Sequence, residues 1–169
     1  NNNGPAFGIF AALADGSVVQ LSQPTTKVQV IHNSADPAAA SVDVYATYGL
    51  TSVKVLDDFN FRSATPFVDL PAKTDLTISF AAANSTSIAD TLAGLSTTVN
   101  LDTNVNYVVF ARGVIGTGFA ANPDAISTAF GLSAFVGQTS AVNSNNFDLA
   151  VFHGSTDAPV VDVVEVGIG

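Results

Sequence analysis

The sequence predicts an all-β protein: a two-sheet antiparallel sandwich of immunoglobulin-like or Greek-key type, with little or no helix. Three observations predict it. Short runs rich in Val, Ile, Phe, Thr and Tyr recur along the whole chain, and each is bounded by Gly, Pro, Asn or Asp. Many of the runs alternate with a period of two, the period of a strand with two distinct faces. Other runs, such as Tyr107 to Phe110, are apolar on both faces and belong in the middle of a sheet with layers above and below.

Taken in order, strands are expected over residues 6–13, 17–21, 27–33, 42–47, 52–56, 66–70, 75–80, 96–101, 106–112, 129–136, 147–153 and 160–166. Asp15-Gly16, Asp36-Pro37, Pro71-Ala72 and Asn122-Pro123 separate several of them. Asx side chains bond to nearby backbone and proline fixes φ, so these pairs favour chain reversal. Only residues 87–95 invite a helical reading, and their short polar side chains argue against it. Along residues 27–33, Val28, Val30 and His32 share one side. On the next strand Val42 and Val44 point one way while Asp43 and Tyr45 point the other.

The opening of the third strand comes back near the C-terminus. Lys27 to Tyr45, KVQVIHNSADPAAASVDVY, matches Asp148 to Val164, DLAVFHGSTDAPVVDVV. At one constant spacing Val28 falls on Leu149, Val30 on Val151, His32 on His153, Ser34 on Ser155 and Asp36 on Asp157. Past that point the first copy is two residues longer, and Val42-Asp43-Val44 falls on Val161-Asp162-Val163. A long-period self-match marks a tandem module. The expected organisation is the end of a preceding module or complementing strands over 1–26, one full sandwich over 27–147, and over 148–169 the opening strands of a following module or a donor strand.

Composition removes several classes of function. Hydrophobic content of 47% with 11% charged residues describes a chain that buries a core. Fourteen acidic against 5 basic residues give a net charge of −9, a field that repels nucleic-acid phosphates and anionic lipid. The absence of cysteine removes disulfides, thiolate metal sites and cysteine nucleophiles. No apolar run is long enough to span a membrane as a helix.

The run V-x-V-I-H-x-S-x-D-P closed by V-D-V-Y, then FNFRSATPFVDLPA from Phe59 to Ala72, then Asn106-YVVFARG, resembles a family of secreted bacterial and archaeal repeats, the domain of unknown function DUF4397. The second opening, Asp157-Ala158-Pro159-Val160-Val161-Asp162-Val163, is closer to the family form than the first. Two departures are local: the extra residues before Val42, and Lys73 where the family has glycine. The resemblance implies a secreted β-sandwich module of a cell-surface or extracellular protein, commonly in tandem, and implies no catalytic residues.

His32 with Asp43, and His153 with Asp162, are the first pairs to weigh for chemistry. A carboxylate on one imidazole nitrogen would fix the tautomer that frees the other for a metal or a proton. The competing reading is structural. His32 ends its strand on the Val28/Val30 face, and a part-buried ring needs polar partners, so His32, Ser34, Asp36 and Asp43, with His153, Ser155, Asp157 and Asp162, form a turn network. That reading is preferred, and no nucleophile elbow accompanies the histidines. Oxygen-rich turns at Asp36, Asp57, Asp58 and Asp102 are secondary calcium candidates, each short of the converging ligands calcium needs. Asn84-Ser85-Thr86 fits the N-glycosylation sequon, and Thr91 lies in a short O-glycosylation pattern.

No enzyme activity and no cofactor are expected. The expected function is a structural subunit or repeat of a secreted cell-surface fibre or adhesin, assembling through strand complementation with copies of itself or neighbouring modules. Val160, Val161, Val163, Val164, Val166 and Ile168 would be the assembly strand, since an apolar strand left open is an edge inviting addition. The alternative is an extracellular module that binds a surface glycan or calcium without catalysis.

Overall fold

A computed structural model describes residues 9–137, 140–164 and 166. Within it β1 (Ile9–Ala12) and β2 (Val18–Leu21) form a two-stranded hairpin of their own. Its turn is Asp15-Gly16: the Asp15 carboxylate accepts the Ser17 N–H and hydroxyl, and Gly16 has φ +83°. Ile9, Phe10, Val18, Val19 and Leu21 are all exposed, so no sheet among the described residues lies over the hairpin. The part of the expected first strand before Ile9 falls outside the described residues.

The remaining strands are β3 (Thr25–His32), β4 (Ser41–Tyr48), β5 (Thr51–Asn60), β6 (Val68–Pro71), β7 (Asp75–Ala82), β8 (Thr91–Asn100), β9 (Asn106–Arg112) and β10 (Gly131–Gly137). They build two four-stranded sheets, in the orders β10-β9-β3-β6 and β5-β4-β7-β8. All ladders are antiparallel except β3 with β9, which run parallel with His32 opposite Ala111. The sequence prediction of an all-β two-sheet protein is therefore met, with one parallel pair inside it. No helix among the described residues is long and apolar enough to cross a membrane.

The core between the sheets centres on Ala39, Val42, Val44 and Phe80. Leu56, Phe59, Ile78, Leu95, Ile115, Phe130 and Leu132 pack around it, and the Phe80 and Phe130 rings meet edge to face at 4.9 Å. β4 is buried on both sides: Val42 and Val44 enter the core while Asp43 and Tyr45 lie under the loop that follows β7. That is why this strand alternates in chemistry without alternating in exposure.

Two local departures from the sequence reading, and one turn kept despite an unusual residue, have physical causes. β5 runs on to Asn60 because a bulge opposite Val42 to Val44 absorbs the register, with Asp58 at φ +49°. The ambiguous stretch before β8 is a single 3-10 turn, Ile88–Asp90, closed by a Ser87/Asp90 capping box, and the strand starts immediately after it. Lys73, standing where the resembling family has glycine, has φ +56°, and its N–H donates to the Leu101 carbonyl. The left-handed turn is kept without the residue that adopts it freely.

The last departure is larger. The expected strands over 147–153 and 160–166 are not formed among the described residues. β3 already sits between β6 and β9, so its sequence twin finds that seat filled. Instead the tail crosses the outer face of the β10-β9-β3-β6 sheet. Phe152 stacks on Phe110 at 4.3 Å and meets Phe135 edge-on at 5.8 Å. Asn122 donates its amide to the Thr156 and Ala158 carbonyls, and the Asp124 carboxylate accepts the Val160 N–H.

Candidate functional site

The first copy of the motif leaves β3 at His32 and enters a one-turn 3-10 segment, Pro37–Ala39. His32 is fully buried between the Phe59 and Phe61 rings, 5.8 and 6.1 Å away. Its Nδ1 accepts the Ser34 N–H at 3.3 Å, which leaves Nε2–H to donate to the Ala39 carbonyl at 2.7 Å. Burial lowers its pKa, with the Ala39 carbonyl partly opposing, so the neutral ring is the folded form. Both nitrogens are spent on backbone. His32 and Asp43 do not bond to each other, and the oriented base that their pairing would have supplied is not assembled.

Ser34 and Asp36 reach across to the loop after β9. The Ser34 hydroxyl donates to the Gly113 carbonyl at 2.6 Å. Asp36 Oδ2 accepts the Ile115 and Gly116 N–H groups at 2.7 Å each, and Oδ1 accepts the Ala38 N–H, capping the 3-10 turn. Burial alone would raise the Asp36 pKa, but the three amides outweigh it and lower it. His32 thus pins the β3–β4 turn, while Ser34 and Asp36 pin the β9–β10 loop. The motif is a latch between two connections distant in sequence.

Asp43 anchors a second buried cluster on the far side of β4. Its Oδ1 accepts the Asp58 N–H turned inward by the bulge, and its Oδ2 accepts the Lys54 ammonium at 2.8 Å and the N–H and hydroxyl of Ser85. The Tyr45 hydroxyl completes the group through Ser85. Burial would raise the Asp43 pKa, but Lys54, Ser85 and the Asp58 amide hold it at about 2. Lys54 is raised in turn by Asp43 and by Asp57.

The second copy repeats part of this. His153 Nε2 lies 3.1 Å from the Pro159 carbonyl, the counterpart of His32 on Ala39. Ser155, however, donates to Asp157, which lowers the Asp157 pKa, and both are exposed. Asp162 is exposed as well. Alternation is reversed between the copies: Val28, His32, Ser34 and Asp36 are buried, whereas Val151, His153, Ser155 and Asp157 face solvent and Phe152, Gly154, Thr156 and Ala158 face the sandwich. His32→Ala is accordingly expected to cost about 2–4 kcal/mol in denaturant unfolding, and His153→Ala less than about 0.5 kcal/mol. Equal costs would contradict the assignment.

The remaining predicted residues do not converge. Asp57 pairs with Lys54 and Asp102 with Lys73, and no group of three metal-ligating side chains occurs among the described residues. Asn84 is exposed while the next sequon residue, Ser85, belongs to the Asp43 cluster, and Thr91 donates its hydroxyl to the Ile88 carbonyl. Val160, Val161, Val163, Val164 and Val166 are exposed, and Ile168 lies outside the described residues. A cleft of about 160 Å³ between the tail and the β9–β10 loop has Arg112 and His153 as its titratable lining. The partners that sequence reasoning missed are Gly113, Lys54 and Ser85. Gly113 carried a readable signal as the glycine directly after an apolar strand, and the other two carried none.

No curated protein matches the chain. The profile of a family described as a domain of unknown function, DUF4397, matches residues 26–164, which takes in the sandwich and the second copy of the motif. The chain belongs to the DUF4397 family.

Proposed function

We propose that this chain is a structural module of a secreted cell-surface fibre or adhesin, joined to its neighbours by β-strand complementation. The reversed tail carries the reading. Leu149, Val151, His153, Ser155 and Asp157 repeat the side chains that β3 and its turn direct inward, and they are presented to solvent beside Val160, Val161, Val163 and Val164. A strand with open backbone groups and an apolar face is a template for pairing with another sheet. His32 and Asp36 are spent on turns, Asp43 on the Lys54 and Ser85 cluster, and His153 on the Pro159 carbonyl, which suits a load-carrying role better than a chemical one. A head-to-tail contact of this kind does not close on itself and propagates as a filament.

Removing residues 160–169 tests the proposal. Self-association in sedimentation velocity is expected to fall while the unfolding midpoint of the sandwich stays in place. Association that survives the deletion undiminished would count against it.

A further inference from the structure

A second self-match frames the chain. Ala6-Phe7-Gly8-Ile9-Phe10-Ala11-Ala12 corresponds, at one constant spacing, to Ala129-Phe130-Gly131-Leu132-Ser133-Ala134-Phe135, with Ala, Phe, Gly and Ala identical at four positions and Ile9 on Leu132, so the stretch that ends in β1 matches the stretch that opens β10. The positions that coincide are the informative ones. Phe130, just before β10, and Leu132 within it pack against the core, and the first copy keeps Phe and Ile there. Ser133 and Phe135, on the opposite face by alternation, are replaced by Phe10 and Ala12. A lone hairpin gives no reason to keep core-facing residues. Ile9 is 61% exposed, and among the described residues only β2 lies beside its strand.

We propose that β1 is a closing strand whose seat is the β10 position on β9 of a second copy of this chain. This rests on the strand-complementation reading above and adds a second donor to it, at the other end of the module. The seat is defined by β10 itself: antiparallel to β9, Leu132 opposite Ala111 and Phe135 opposite Val108. In that register Ile9 enters the core in the place of Leu132, and Ala12 lies opposite Val108. The seat is open to exchange, because β10 is an edge strand whose ladder, among the described residues, is with β9 alone, and Val136 is 71% exposed. The β1–β2 hairpin is then the resting state of the donor, with β2 standing in for β9.

Because the chain has no cysteine, an engineered pair reads this contact directly. Full-length Ala12→Cys and full-length Val108→Cys are mixed under conditions of self-association and joined with a short bis-maleimide. The expected product is the mixed dimer in at least several-fold excess over either like pair, and loss of that excess when Ile9→Asp is added to the Ala12→Cys chain. A statistical mixture of dimers, no dimer, or bridging that survives Ile9→Asp would overturn the assignment. Filaments seen without the engineered cross-link between positions 12 and 108 would overturn the β1 seat while leaving the fibre reading intact. The cross-link formed in closed pairs without filaments would support the seat and remove the fibre.

Discussion

Asp43→Ala is expected to destabilise the sandwich by about 3–5 kcal/mol, among the largest effects of any single side chain in the molecule. Breaking a buried pair from one side leaves the partner uncompensated. Here the loss leaves the Asp58 N–H without its acceptor under the loop that follows β7, and takes the shared carboxylate from Lys54 and Ser85, which keep only Asp57, the Ser85 carbonyl and the Tyr45 hydroxyl. Asp57→Ala removes the exposed partner of the same lysine and should cost less than about 1 kcal/mol. The pH dependence follows from the same geometry. Asp43 has its pKa depressed from 3.8 to about 2, so its contribution is fully present above pH 3.8 and is lost as pH falls through 2. That loss amounts to about 2 kcal/mol, and Asp43→Asn should flatten it. Denaturant unfolding measured between pH 5 and 2 reads both effects. An Asp43→Ala cost below about 1 kcal/mol would contradict the buried-anchor description.

Gly113→Ala is expected to cost about 3 kcal/mol or more, from strain and overpacking together. At φ +82° a Cβ on residue 113 would lie 2.3 Å from the Ala129 carbonyl oxygen and 2.7 Å from that of Thr128. Those atoms are backbone and are held: the Val114 N–H donates to Thr128 and the Phe130 N–H to Val114. Relief therefore moves the loop that Ser34 and Asp36 grip. Gly118→Ala is the control, since its φ is +92° with nothing within 4 Å of the added carbon. It should cost about 1 kcal/mol, the left-handed penalty alone. Similar thermal unfolding shifts for the two variants would show that the close approach at Gly113 carries no weight.

How far the sequence could be read depended on whether a feature was local. β9 was bounded correctly because Asn106-YVVFAR is flanked by turn residues and apolar on both faces. The Ser87–Asp90 cap was missed because its residues are the same small polar types that populate irregular loops. The motif spacing singled out His32, Ser34 and Asp36, but the partners of Ser34 and Asp36 at Gly113, Ile115 and Gly116 are set by the parallel docking of β3 on β9, which no local pattern encodes. The tail is the most instructive case. Its alternation was legible, yet alternation says only that a strand could form with two faces. In this chain the β3 seat is already taken, so the tail lies reversed, with Phe152 against Phe110 and its repeated residues outward.

Electron microscopy of the purified full-length chain, at concentrations where it self-associates, tests strand-complemented assembly most directly. Unbranched filaments are expected, with a repeat the size of one sandwich, shortened or absent when residues 160–169 are removed. Single sandwich-sized particles at every concentration would contradict it.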